Sequence, residues 1–196
     1  MFKITFSDGT VQNCPQPVTG EELLQTLAVK SAARIVAWHV DSFLRPLSWT
    51  VDSDAQIDWV DLTSMEGMNV YQSSLSFLLV MAAERVLHRQ ITVTNSISEG
   101  LFWIAEQSET GGVEGKGLSE ITAEQTARLK AEMMRMVAQD VPFKAELMPV
   151  DRAIRHFRSM GRISKAKLLG IKMSTSPVEL VSCLSCYDMY YSPLVP

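Results

Sequence analysis

Residues 2–14, "FKITFSDGTVQNC", carry the reading on which the fold turns. Phe2, Ile4 and Phe6 alternate with Lys3 and Thr5, the period of a half-buried strand. Asp8-Gly9 follows, and Asp-Gly is a strong signal for a tight turn between strands. A second strand runs from Val11 to about Cys14. Thr19 is placed to cap a short helix, "GEELLQTL", with Glu22 three residues on to close a capping box. "ARIVAWHV" and "AQIDWVDL" read as further buried strands. Two strands, a helix and more strands within residues 1–62 predict a compact α+β unit of the ubiquitin-like β-grasp type.

Beyond it, "TSMEGM" (63–68) reads as a junction. Residues 69–88 then read as a helix whose apolar residues, Val70, Leu75, Leu78, Leu79, Ala82, Val86 and Leu87, cover much of its surface. Such a helix belongs in a core. "ITVTNSI" and "GLFWIAE" read as paired strands, and "QSETGGVEGKG" as a polar, glycine-rich loop. Thr122 and Gln125 form a second capping box, for a helix running to about Asp140 with Pro142 behind it. A helix from near Val150 to Gly161, a short one over Ser164–Leu169 and a final hairpin in "PVELVSCLSCYDMYYSPLVP" complete the chain. Residues 66–196 are thus expected to form a second α+β part, with an antiparallel sheet and a long buried helix.

The 196 residues suffice for a real core, and 46% apolar with 20% charged residues is ordinary for a globular protein. No apolar run approaches the roughly 18 residues that span a bilayer, so no membrane partner is expected. The first residues lack the basic and apolar regions of a signal peptide, and three cysteines make no disulfide framework. The expected compartment is the cytoplasm. The net charge of −4 does not advertise nucleic-acid binding, but its distribution is uneven. Residues 152–172 hold seven Lys or Arg and no acid, which leaves −11 on the remainder.

Several motifs invite chemistry. "GGVEGKG" (111–117) fails as a phosphate-binding loop, because Gly117 stands where Ser or Thr must hold magnesium. Cys183 and Cys186 form a lone C-x-x-C, with only Cys14, His39, His88 and His156 to complete a metal site. Two incidental thiols on neighbouring strands are one reading; metal or redox use is the other. Met133, Met134 and Met136 are most simply core filler, and Trp38, Trp49, Trp59 and Trp103 core or half-buried strand residues. No nucleophile–base–acid constellation stands out, and no cofactor or metal is expected. The basic segment carries more. Arg152, Arg155, Arg158 and Arg162 fall within an arc of about 120° on a helix at 100° per residue, with Ile154 and Phe157 pointing the other way. Together with Lys165 they read either as a solvated surface or as a phosphate-contacting face for RNA or a nucleotide.

The order of the landmarks "YQSSLSFLL", "SISEGLFW", "ITAEQTARLKAEMMRMVAQDVPF", "AIRHFRSMG" and "YYSPLVP" resembles the N-terminal region of threonyl-tRNA synthetases over nearly the whole chain. The first 62 residues resemble their TGS domain, and residues 66–196 the second domain, which edits mischarged tRNA. That resemblance implies an editing site of two His one helical turn apart plus a Cys and a His in the last strand region. The matching positions here are Ser73, Phe77, Tyr190 and Leu194. Serine and phenylalanine neither shuttle protons at neutral pH nor hold a metal, so the cleft is expected to be a remnant without catalytic residues.

"YQSSLSFLL" and "YYSPLVP" also resemble bacterial uridine kinase-like proteins, which place the same two domains ahead of a P-loop kinase domain and lack the same His and Cys. Ser192 stands where that pattern has Gly, and Pro196 falls inside its "LVP" motif. The leading expectation is a non-catalytic binding or regulatory region of such a nucleoside kinase, with a downstream kinase domain as partner. The alternatives are an aminoacyl-tRNA deacylase and a tRNA- or RNA-binding module.

Overall fold

The computed structural model describes all residues except 28, 30, 32, 98–99, 106–120, 172–175, 185, 191–192 and 196. The "QSETGGVEGKG" loop therefore lies outside the described residues. The architecture is mixed α+β. Two compact units are present: Met1–Asp140 with Ser192–Pro196, and Val141–Tyr191.

The first unit opens with β1 (Phe2–Phe6) and β2 (Val11–Cys14), paired antiparallel with Phe2 opposite Cys14. Phe2, Ile4 and Phe6 all face inward, as the alternation requires. Gly9 takes φ +85 in the turn, and Asp8 accepts a hydrogen bond from the Thr10 N–H. The two-residue β3 (Val18–Thr19) leads into α1 (Gly20–Thr26). Both halves of the expected capping box are formed: Glu22 N–H donates to Thr19 Oγ1, and Thr19 N–H donates to the Glu22 carboxylate.

Four strands follow: β4 (Ile35–Val40), β5 (Phe43–Arg45), β6 (Thr50–Val51) and β7 (Ala55–Asp61). The main sheet has the order β2-β1-β7-β4-β5, and β3 pairs separately with β6. Only β1 and β7 run parallel; the other neighbours in this sheet are antiparallel. Leu23 from α1 closes one apolar cluster with Phe2, Ile4, Phe6, Cys14, Trp38, Val51 and Ile57.

Helix α2 spans Met65–Leu87. It begins earlier than its apolar pattern suggests, because "TSMEGM" is its first turn rather than a free junction. Ser64 is the N-cap and accepts a hydrogen bond from the Gly67 N–H at 3.0 Å. Val70 packs with Val36, Ala37 and Val60, so α2 is built onto the sheet of residues 1–62. His88 ends the helix in a left-handed conformation. The hairpin β8 (Ile91–Ile97) and β9 (Gly100–Ala105) follows as read.

Helix α3 (Ala123–Ala138) starts from the Thr122–Gln125 capping box. Its Glu132 joins α3 to α2. One carboxylate oxygen accepts from Arg85 at 2.8 Å and from Arg135 at 2.7 Å, and the other accepts from Arg135 at 2.8 Å. Hydrogen bonds from Arg135, reinforced by Arg85, lower the Glu132 pKa to about 2 against partial desolvation. A carboxylate with a depressed folded pKa adds stability above its unfolded pKa and loses it as pH falls through the folded value. The stabilisation from this cluster should therefore fade between about pH 5 and pH 2. Glu132→Gln should cost about 1 kcal/mol at neutral pH, and its deficit relative to wild type should shrink on acidification. Urea unfolding at neutral pH and at about pH 3 checks this; a deficit unchanged by pH would sink it.

The second unit holds β10 (Lys144–Met148), α4 (Val150–Ser159), α5 (Ile163–Ile171), β11 (Val178–Cys183) and β12 (Cys186–Asp188). The three strands form one antiparallel sheet in the order β10-β11-β12. The final hairpin is thus present over 178–188, with Cys183 opposite Cys186 in register. Met148, Ala153, Phe157, Ala166, Leu169 and Leu180 form the core of the unit.

Candidate functional site

The serines at the start of the long buried helix serve its own backbone. Ser74 is buried; its Oγ donates to Val70 O at 2.7 Å and accepts the Val195 N–H at 2.8 Å. Ser76 Oγ donates to Gln72 O at 2.8 Å. Ser73 is half-buried on the same helix. Phe77 is wholly buried, and Leu194 is buried as well. Val195 packs with the Val36–Val70 cluster, so it is held by an apolar contact and by the hydrogen bond from its N–H to Ser74 Oγ.

Tyr190 belongs to the second unit. Burial, then the charge of Asp188, pushes its hydroxyl well above the usual tyrosine range, and Arg162 only partly offsets this. At neutral pH Tyr190 carries its proton. None of these four side chains offers a base or a metal ligand near neutrality. Among the described residues no group of three or more His, Cys, Asp and Glu could hold a metal ion.

The expected cationic face divides in two. Arg152, Arg155 and Arg158 are exposed on α4, opposite the wholly buried Ala153 and Phe157. Arg155 approaches Asp151 at 3.5 Å, but both side chains are more than two-thirds exposed, so the pair contributes little. Arg162 does not share this face. The helix ends at Ser159 and Gly161 turns the chain at φ +71, so the 100° rotation per residue no longer applies.

Arg162 is instead buried, 3.1 Å from the equally buried Asp188, and also donates to Tyr187 O at 3.4 Å. Lys165 on α5 pairs with the other oxygen of Asp188. Two of the five expected phosphate contacts therefore neutralise one internal carboxylate. Sequence reasoning missed Asp188, since nothing local marks a residue 23 positions from Lys165 as its partner.

Of the C-x-x-C pair, Cys183 is buried. A further group was also missed: Arg45 lies over the rings of Trp49 and Phe43, 4.3 and 5.7 Å from their centroids.

No family model matches the chain. It is similar to threonine–tRNA ligases. It is 25% identical to that of Aromatoleum aromaticum over 197 residues, covering 100% of this chain and 29% of the ligase. It is 26% identical to that of Acidiphilium cryptum over 170 residues, covering 86% and 25%. It is 25% identical to that of Methylococcus capsulatus over 194 residues, covering 98% and 29%. The similarity lies with the N-terminal regions of these enzymes. The chain spans less than a third of the length of these relatives. Among the described residues, no helix is long and apolar enough to cross a membrane.

Proposed function

We propose that this chain is a tRNA-binding module built on the plan of a threonyl-tRNA synthetase N-terminal region, and that it does not itself remove amino acids from tRNA. The observation that carries the reading is similarity to threonine–tRNA ligases along the full chain. In this reading residues 1–62 are a TGS-like β-grasp domain, supported by the parallel β1–β7 pair at the centre of the sheet. Residues 66–196 are the editing-like domain, with Ser73, Phe77, Tyr190 and Leu194 at the positions of its lost chemistry. Buried Phe77 and Leu194 support that loss, because a deacylase needs groups there that activate water. Arg152, Arg155 and Arg158 are the phosphate-contacting residues, supported by their exposure on one side of α4.

The test is binding of threonine tRNA across a salt series. Each lost phosphate contact should reduce the slope of log K against log salt by about 0.7–0.9. Arg155→Glu with Arg158→Glu should weaken binding at least tenfold and flatten that slope by nearly two such steps. Salt-insensitive or absent binding would remove the reading. Mischarged threonine tRNA incubated with the chain should stay intact; turnover abolished by Ser73→Ala would establish the deacylase instead.

A second reading, the binding region of a uridine kinase-like protein, is favoured by one feature. It rests on the resemblance of "YQSSLSFLL" and "YYSPLVP" to that family, with Ser73, Phe77, Tyr190 and Leu194 standing where the synthetase resemblance implies His and Cys. Uridine phosphorylation by the endogenous protein separates the two. A species well above 21.8 kDa that phosphorylates uridine supports the kinase-like protein.

A further inference from the structure

The β4–β5 hairpin carries a surface that neither the arginine row nor helix α2 uses. Val40 and Phe43 face each other across a two-residue loop, Asp41-Ser42, in which both residues are left-handed (φ 50 and 68). Such loops match the twist of paired strands but ordinarily take Asn or Gly. Here the conformation is held from β7: Asp41 N–H donates to Gln56 O, and Gln56 N–H donates to the Asp41 carboxylate, both at 2.8 Å. The hairpin loop is therefore anchored to β7.

Phe43 on the hairpin is 65% exposed, and Trp49, in the turn after β5 where its N–H donates to Pro46 O, is 42% exposed. Arg45, on the edge strand β5, lies against both rings and pairs with no carboxylate among the described residues. Two exposed aromatic side chains, each with one face toward a cation that has no carboxylate partner among the described residues, are the parts that hold a planar base beside its phosphate. We propose that Phe43, Arg45 and Trp49 form a stacking site for an unpaired base of single-stranded RNA, with Arg45 meeting the adjoining phosphate.

The proposal rests on the tRNA-related reading and makes it more specific, separating two kinds of contact. Residues 1–62 hold eight Asp or Glu against four Lys or Arg. Charge does not draw a polyanion to this surface, so the site recognises by stacking and adds at most one phosphate contact. Its contribution should depend only weakly on salt, whereas that of the α4 arginines depends on it steeply.

The experiment uses the full chain, a fluorescein-labelled oligouridylate and a blunt RNA duplex of equal length, read by anisotropy. Trp49→Ala and Phe43→Ala should each weaken oligouridylate binding about tenfold and leave duplex binding unchanged. Trp49→Phe should restore most of the loss, and Arg45→Gln should weaken binding less than either ring deletion. A thermal melt of each variant separates lost binding from lost folding, with Trp49→Phe and Arg45→Gln deciding if an alanine variant unfolds. If tRNA binds through the α4 arginines while the hairpin variants hold oligouridylate as well as wild type, the stacking site is overturned and the tRNA reading stands. If the wild-type chain binds tRNA but not oligouridylate, the stacking site also falls, and a protein partner becomes the explanation of the patch. If neither RNA binds, both readings fall.

Discussion

Asp188→Asn should destabilise the protein by roughly 3–5 kcal/mol, the usual cost of breaking a buried ion pair from one side. The substitution preserves shape and removes charge. Arg162, its side chain only 6% exposed, would lose the carboxylate that lies 3.1 Å from it and keep its 3.4 Å hydrogen bond to Tyr187 O. Lys165 is less constrained, since its side chain is 39% exposed and can turn to water. The cost therefore falls mainly on Arg162. Urea unfolding followed by far-UV circular dichroism reads it.

Two controls make the result specific. Arg162→Met with Asp188→Leu removes both charges and fills similar volume, so the double variant should recover much of what Asp188→Asn loses. Lys165→Met alone should cost clearly less than Asp188→Asn. A double variant as unstable as the sum of its single changes would mean that packing, and not the charge pair, sets the cost. Phosphate binding by these cations and neutralisation of Asp188 are competing uses of the same groups, which is why the interface is assigned to Arg152, Arg155 and Arg158.

The elements legible in the sequence were those whose signals are local. Both capping boxes span four residues, and α1 and α3 begin where Thr19 and Thr122 place them. The Phe2–Phe6 alternation needs no partner to be read, and that strand matches the expected bounds. The elements missed owe their form to distant partners. β10 alternates polar and apolar residues over only four positions, Lys144 to Leu147, and all four are exposed, so its strand character comes from pairing with β11. β5 is a three-residue edge whose place is set by the Asp41-Ser42 loop and by β4.

The candidate site shows the same division. Helical spacing on α4 revealed Arg152, Arg155 and Arg158, and it failed at Arg162, where the helix had already stopped. The Phe43–Arg45–Trp49 group was hidden because the tryptophans were read together as core or half-buried strand residues. Trp38 does lie in the core, stacked at 5.7 Å on half-buried Trp59, but Trp49 does not.

Gly67→Ala should destabilise the first unit, although alanine favours a helix over glycine by about 1 kcal/mol. Gly67 is the third residue of α2, and its N–H donates to the Ser64 cap. A Cβ added there would lie 1.9 Å from Asp61 O and 2.6 Å from Asp61 C, with Ser64 Oγ at 3.1 Å. The first two are backbone atoms at the end of β7, so no rotamer change relieves the contact. Asp61 is itself held. Its carboxylate accepts from Ser31 Oγ, Thr63 Oγ1 and Thr63 N–H, and its carbonyl oxygen accepts from Ser64 Oγ at 2.8 Å. Relief requires the first turn of α2 to move off the sheet, loosening the packing of Val70 on Val36, Ala37 and Val60. Such overpacking commonly costs about 1–3 kcal/mol, and contact with the held Asp61 carbonyl group places this case at the upper end. The expected outcome is a lower urea midpoint with an unchanged slope. Ser64→Ala, which removes the cap without adding volume, should cost only about 1 kcal/mol. If Gly67→Ala raised the midpoint, helix propensity would outweigh the contact, and the close approach of α2 to β7 would not be what fixes the start of the helix.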